Sequence, residues 1–311
     1  MATEKKDLYI MRKLIEEENV DPNAKGNLQY YEEGSTCIHI AASQSDATTL
    51  RFFLSLTTEI NINAQDKSGW TPLLTASRDG CEEVVRILLA HPNLDVNMTD
   101  NRGHTALMKA CYHGHKTIVY LLLCHKNIQV NKTDFNQGET ALIMAVNEHD
   151  PELVRLLLTR DDINVNAQDK DKHTALMYSC LNGNLEIVRI LLEHKDIDVN
   201  LTDFKNENAL VCACKKNFER PGEVEVISMM LQREEIQMSS SNIEAVVFFI
   251  MHRDMNIKDK RTMRLVIDEA VSQNLLDIAR WLLKIEGYLF KAVSLGPLRR
   301  RSVKGVKNKR I

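Results

Sequence analysis

Five side chains able to bind a metal or move a proton fall close together near the middle of the chain: His104, His113, His115, Cys124 and His125. Imidazole and thiolate are the usual zinc ligands, so the group invites a metal site. The spacing argues against one. His113 and His115 flank Gly114, His125 lies beyond a leucine-rich run, and no register brings the five together. Cysteine usage agrees: the seven are scattered, Cys212 and Cys214 stand two apart, and no CxxC occurs. There is no glycine-rich phosphate loop after a strand, no nucleophile elbow and no HExxH. The expectation is no metal, no cofactor and no enzyme activity in this part of the chain.

The elements that carry these residues repeat. The unit running from Asp66 to Thr99 recurs through most of the chain. One register is Thr36, Thr71, Thr105, Thr140 and Thr174, then Asn208, at steps of 35, 34, 35, 34 and 34. A second is Asp66, Asp100, Asp134, Asp169 and Asp203; a third is Asn63, Asn97, Asn131, Asn166 and Asn200. Three registers in phase define a repeat. Gly34, Gly69, Gly103 and Gly138 stand two residues before the Thr, where a turn with positive φ is expected. Lys172 stands at that place in the fifth repeat, a conflict costing about 1 kcal/mol if the turn is kept. The Thr hydroxyl is suited to cap the following helix. A second helix then carries an apolar stripe, as in Ile118, Val119, Leu121, Leu122 and Leu123, too apolar to stand alone without neighbouring repeats. Ala42, Ser77, Cys111, Val146, Cys180 and Cys214 share one position, which reads as buried and mostly small, so these cysteines serve packing rather than chemistry.

Thr71-Pro72-Leu73, Thr36-Cys37-Ile38-His39-Ile40-Ala41-Ala42 and the run Gly183 to Leu192 resemble the ankyrin repeat. The resemblance covers roughly residues 27–286 and weakens after Phe218. It implies an all-α, ankyrin-type solenoid of stacked helix-turn-helix repeats with β-hairpin-like fingers. The expected layout is an amino-terminal capping helix over 1–26, about six repeats over 27–239, a degenerate closing repeat and cap over 240–290, and a basic flexible tail over 291–311. Departures from the family pattern are visible. Only Pro72 keeps the Pro, with Ala106, Ala141, Ala175 and Ala209 elsewhere, and the following His survives only as His39. A thinner network of hydrogen bonds between repeats is expected from that loss. Phe218 to Gly222 reads as an insertion, since Glu225-Val226-Ile227 follows Glu186-Ile187-Val188 at a step of 39.

Composition suits helix stacking: of 311 residues, 44% are hydrophobic and only 5% aromatic. The net charge of −3 conceals an asymmetry, because residues 287–311 hold eight cations and no acid, leaving −11 on the rest. An acidic array disfavours direct nucleic-acid binding. No apolar run reaches membrane-spanning length, and Met1 to Lys6 lead into charged residues without a signal-peptide core. A cytoplasmic or nuclear, monomeric protein is expected. In the tail, Arg299, Arg300, Arg301, Lys304, Lys307, Lys309 and Arg310 fit a nuclear-import address, an acidic-lipid contact, a basic kinase site at Ser302 or a solubilising end.

In the family, fingers and inner helix faces form a concave binding surface. The resemblance places Trp70, Arg78, Arg102, His104, Tyr112, His113, Phe135, Glu139, His173 and Phe204 there, and all are expected to be free of packing duty. Aromatic and Arg side chains concentrate interface energy. Phe135 and Phe204 follow the fingertip Asp where Lys67, Asn101 and Lys170 stand in sister repeats; either they await a partner or they stack on the adjacent finger. The function expected is an intracellular adaptor or scaffold for an unidentified partner protein. The alternatives are an accessory, substrate-recruiting subunit of a modification enzyme complex, and a polyanion or nuclear-import role of the tail.

Overall fold

The computed structural model describes residues 33–56, 60–215 and 223–231, with 23–26 and the single positions 13, 21, 233, 236 and 267. Most of the expected amino-terminal cap over 1–26, the insertion at 218–222, most of the closing repeat and cap over 240–290 and the tail over 291–311 lie outside the described residues. Lys13 and Ile267 are helical, and Ile267 belongs to the common core.

The described chain is a series of helix pairs. They are α1 (Cys37–Ser43) with α2 (Ala47–Leu56), α3 (Pro72–Asp79) with α4 (Glu82–Leu89), α5 (Ala106–Tyr112) with α6 (Lys116–Leu123), and α7 (Ala141–Asn147) with α8 (Pro151–Leu157). Then come α9 (Ala175–Asn182) with α10 (Leu185–Leu192) and α11 (Ala209–Lys215) with α12 (Glu223–Leu231). Helices this short are marginal alone, and what stabilises them is packing. First helices pack on first helices and second on second, the first-helix layer more closely, so it forms the inner side of the stack.

Each first helix starts where expected. Thr71, Thr105, Thr140 and Thr174 accept the N–H of Leu74, Met108, Ile143 and Met177 through their hydroxyls at 3.2 to 3.3 Å, and Asn208 caps Val211 at 3.1 Å. In the first repeat the cap is entangled with His39, whose Nδ1 accepts the Thr36 N–H at 3.1 Å while Nε2 donates to the Trp70 carbonyl at 3.0 Å. Burial lowers the His39 pKa, which keeps the ring neutral and able to do both.

The core is continuous along the stack. Leu107, Met108, Ile118 and Leu122 are buried to 1% exposure or less, and each such side chain contributes about 1.5–3 kcal/mol by leaving water. The six small or buried positions Ala42, Ser77, Cys111, Val146, Cys180 and Cys214 are all inside. Lys172 does keep the turn of its repeat: φ is +62°, alongside +84° at Gly103 and +75° at Gly138. Asn206 does the same at +59°.

The inter-repeat network is not thin. With the family His absent after the first repeat, the asparagine register carries it. Asn63, Asn97, Asn131 and Asn166 each donate Nδ2 to a carbonyl of the next hairpin, those of Asn93, Asn127, Asp162 and Asp196, at 2.6 to 2.7 Å. Each also accepts, through Oδ1, the N–H of Asp95, Gln129, Asn164 or Asp198 at 2.7 to 2.9 Å. Asn23 makes the accepting half of this contact with the Asn61 N–H at 2.7 Å.

Candidate partner-binding surface

The fingers are built on carboxylates, all buried except the half-buried Asp66. Asp100 Oδ1 accepts the N–H groups of Arg102 and His104 at 2.9 Å each; Asp66, Asp169 and Asp203 do the same in their own turns, and Asp134 takes the two N–H groups on its two oxygens. A carboxylate that accepts several N–H bonds fixes the turn and is itself held ionised. Burial acts to raise the Asp100 carboxyl pKa, but hydrogen bonds from His104, from the turn backbone and from Lys109 overcome it and hold it well below the usual carboxylate range. An isolated bridge then closes the base of the finger, Thr99 with Thr105, Thr133 with Thr140, and Gln168 with Thr174.

Successive fingers are tied tip to tip. Asn101 N–H donates to the Ser68 carbonyl at 3.0 Å, Phe135 to Arg102 at 2.7 Å, Lys170 to Gln137 at 2.7 Å and Phe204 to Asp171 at 3.4 Å, after Lys67 to Glu33 at 2.9 Å. The row is therefore a ladder rather than a set of independent loops.

Several residues expected to be idle have structural duties. The half-buried Trp70 ring lies under the Arg78 guanidinium at 4.7 Å and the Lys109 ammonium at 4.5 Å. Arg78 also forms a two-pronged pair with Asp79, at 2.6 and 2.9 Å. His104 Nδ1 is 3.1 Å from both Asp100 Oδ2 and Lys109 Nζ, so it belongs to the finger base. His173 Nε2 is 3.6 Å from Asp203 of the next finger, and its ring lies 5.3 Å from that of Tyr178. A long polar side chain at the finger base finds a neighbour either in its own repeat, as Arg78 and His104 do, or in the next, as His173 does. Glu139 is half-buried with its Oε1 accepting from Asn147 at 3.1 Å; burial, then the charges of Asp134 and Asp169, raise its pKa.

Other expected residues do face solvent. Tyr112, Phe135 and Phe204 are 56%, 62% and 64% exposed; Arg102 and His113 are exposed as well. Tyr112 meets His113 edge-on at 5.1 Å, and His113 stacks on His115 at 6.1 Å. The His113 pKa is lowered, first by burial and then by His115, Lys109 and Arg78. Of the two alternatives open for the two phenylalanines, stacking on the adjacent finger is the one seen, and only in part. A Cβ on Gly103 would lie 2.8 Å from the Phe135 ring, so that ring covers the preceding fingertip. Lys172 Nζ sits 4.9 Å from the centre of the Phe204 ring. Each ring leans on one neighbour and leaves its remaining surface open.

A family model of ankyrin repeats matches residues 1–100, 91–169 and 150–242. The chain belongs to the ankyrin repeat family. The ankyrin repeat domain of Bcl-3, a member of the IkappaB protein family, is 25% identical over 71% of this chain and 91% of its own, with a TM-score of 0.59. A chain from the complex of the Bdellovibrio bacteriovorus predatory endopeptidase Bd0816 with the immunity protein Bd3460 shares the fold. It is 23% identical over 63% of this chain and 98% of its own, with a TM-score of 0.55.

Within the ankyrin stack the cysteines are free, and all but Cys124 are buried. Burial pushes the thiols of Cys37, Cys212 and Cys214 up to about 12 and raises those of Cys111 and Cys180 as well, which leaves them protonated and poorly nucleophilic. Among the described residues no three His, Cys, Asp or Glu side chains are gathered as a metal site, and His115 is engaged with the Arg78 carbonyl at 2.9 Å. No described helix is long and apolar enough to cross a membrane. The sequence reading missed Lys109 and Lys172. Lys109 stands at the position of Thr75, Met144, Tyr178 and Cys212, a variability that marks it as facing the inner surface.

Proposed function

We propose that this ankyrin array is an adaptor or scaffold that holds a partner protein against its fingers and first-helix layer. Ankyrin repeat domains are in general non-enzymatic interaction modules, and the family membership supports an interaction role. The observation that carries the reading is the exposure of Tyr112 and Phe135 on neighbouring repeats whose fingers are locked to one another by backbone hydrogen bonds. Large, stiff aromatic side chains on a rigid support lose little entropy on binding and make good anchors. The free cysteines, all but Cys124 buried, support placing this function in a reducing compartment.

The test is affinity capture from the source cell with the full chain, with a Tyr112→Ala/Phe135→Ala double variant, and with a chain lacking residues 287–311. The double variant is expected to weaken the captured partner by at least about 2 kcal/mol while its melting temperature stays near that of the parent. Capture that survives the double replacement but disappears on removing 287–311 transfers the function to the tail.

A further inference from the structure

Positive charge collects on the tips of fingers three to six. Arg102, Lys170, Lys172 and Lys205 stand there, all exposed, with Asp171 as the one exposed acid of these fingers, the carboxylates of Asp100, Asp134, Asp169 and Asp203 being buried beneath. Finger two differs, because its Lys67 is paired with Glu33. Among the ion pairs of the described residues none engages Arg102, Lys170, Lys172 or Lys205. Lys170 instead reaches the Phe135 carbonyl, and Lys172 lies over the Phe204 ring. The fingertip aspartates do not cancel this charge locally by pairing, since Asp134 and Asp203 are 4% and 5% exposed and turn their oxygens to backbone N–H groups. The exposed edge of the ridge is thus basic and aromatic, above a row of buried turn carboxylates, on an array whose remainder is acidic.

The order along the ladder is cation, ring, cation pair, ring, cation: Arg102, Phe135, Lys170 with Lys172, Phe204, Lys205. We propose that this ridge docks an extended acidic polypeptide segment of the partner, with its carboxylates at the four cations and two aliphatic side chains against the Phe135 and Phe204 rings. The proposal rests on the interaction reading above and gives that partner its chemistry. Phe135 and Phe204 are two repeats apart, and packed helices lie about 8–10 Å apart, so the rings are separated by roughly 16–20 Å. An extended chain advances about 3.3 Å per residue with alternate side chains on one face, so aliphatic residues about six apart match both distance and side. A nucleic-acid strand also offers anions and flat apolar surfaces, but the charge of −11 on residues 1–286 opposes a dense polyanion more than a short acidic segment.

The probe is a capped, fluorescent peptide of about twelve residues, carrying two leucines six apart with glutamates before, between and after them. Its binding to the full chain is read by fluorescence anisotropy, beside the same peptide with every glutamate changed to lysine and an oligo-dT of equal length. The glutamate peptide is expected to bind and the lysine peptide not. Affinity should fall roughly tenfold in Arg102→Glu/Lys205→Glu and in Phe135→Ser/Phe204→Ser, and fall with added salt, while replacing the exposed Tyr120 of α6, Tyr120→Ala, leaves it unchanged. Melting curves matched to the parent exclude unfolding as the cause. Equal binding of the two peptides, no binding of the glutamate peptide, or tighter binding of oligo-dT overturns the proposal. Capture from the cell separates the two readings. A partner lost with Tyr112→Ala but kept with Arg102→Glu/Lys205→Glu overturns the ridge and leaves the inner-face reading intact.

Discussion

Asn97 holds the hairpin of the next repeat at two points, donating to the Asn127 carbonyl at 2.7 Å and accepting the Gln129 N–H at 2.8 Å. A primary amide is the one short side chain that offers a donor and an acceptor side by side. Asn97→Ala is expected to destabilise the array by about 1–3 kcal/mol, the cost of leaving largely buried polar groups without partners. Asn97→Asp keeps the accepting half only and sets a carboxylate against a carbonyl, so it should cost at least as much at neutral pH. Urea unfolding of the two variants beside the parent checks both; a neutral Asn97→Ala would mean the bridges hold nothing.

Gly103 and Gly114 have similar backbones, φ +84° and +73°, but different surroundings. A Cβ at Gly103 would meet the Phe135 nitrogen at 2.7 Å, whereas nothing lies within 4 Å of one at Gly114. Gly114→Ala should cost only the left-handed penalty, about 1–2 kcal/mol. Gly103→Ala should cost distinctly more, because backbone of the next finger must move. Thermal unfolding of the pair measures the difference, and equal losses would show that the fingertip contact is dispensable.

Ser77 and Cys111 occupy the same position in consecutive repeats, both fully buried, but the Ser77 hydroxyl has no hydrogen-bond partner. Ser77→Ala is therefore expected to stabilise the array by about 1 kcal/mol. Cys111→Ala should be near neutral, and Cys111→Phe should cost about 1–3 kcal/mol or more by overpacking. Denaturant midpoints report all three, and a destabilised Ser77→Ala would reveal a partner for that hydroxyl.

The repeat boundaries, the helix starts and the glycine turns were legible in the sequence because each depends on residues close together in the chain. Thr105 caps Met108 three residues on, and Asp100 turns the chain over Arg102 and His104. The asparagine register was equally visible, but its role was not, since Asn97 acts on residues 30 and 32 positions later. The same distance hid the duty of His173, which meets Asp203 thirty positions on, whereas His104 folds back on Asp100 and Lys109 of its own repeat. Periodicity shows that such residues are equivalent; it does not show which neighbour each one meets. Phe135 and Phe204 stood out by their contrast with Lys67, Asn101 and Lys170, but whether they lean on the adjacent finger was left open, because that too depends on a neighbour far off in the chain.

Glu139 gives a pH signature. Its folded pKa is raised by burial and by the Asp134 and Asp169 charges, so the folded state prefers the protonated carboxyl. That preference contributes fully below the ordinary carboxylate range near pH 4 and is lost as pH rises through the raised folded value. Glu139→Gln keeps a group able to bond Asn147 and removes the titration. It is expected to raise the melting temperature at neutral pH by a small amount, less than about 1 kcal/mol in stability, with the gain vanishing in acid. Asp100 runs the other way: its lowered pKa contributes stability above the ordinary range that is lost as pH falls through the depressed value. A Glu139→Gln gain that persisted at low pH would exclude charge as its source.

The tip-to-tip bonds all point one way, each finger giving its N–H to the carbonyl of the finger before it. Stripping a repeat from the amino end strands an N–H on the survivor, whereas stripping one from the carboxyl end strands only a carbonyl. The ladder therefore has a grain, like split timber, with every finger leaning back on the one before it.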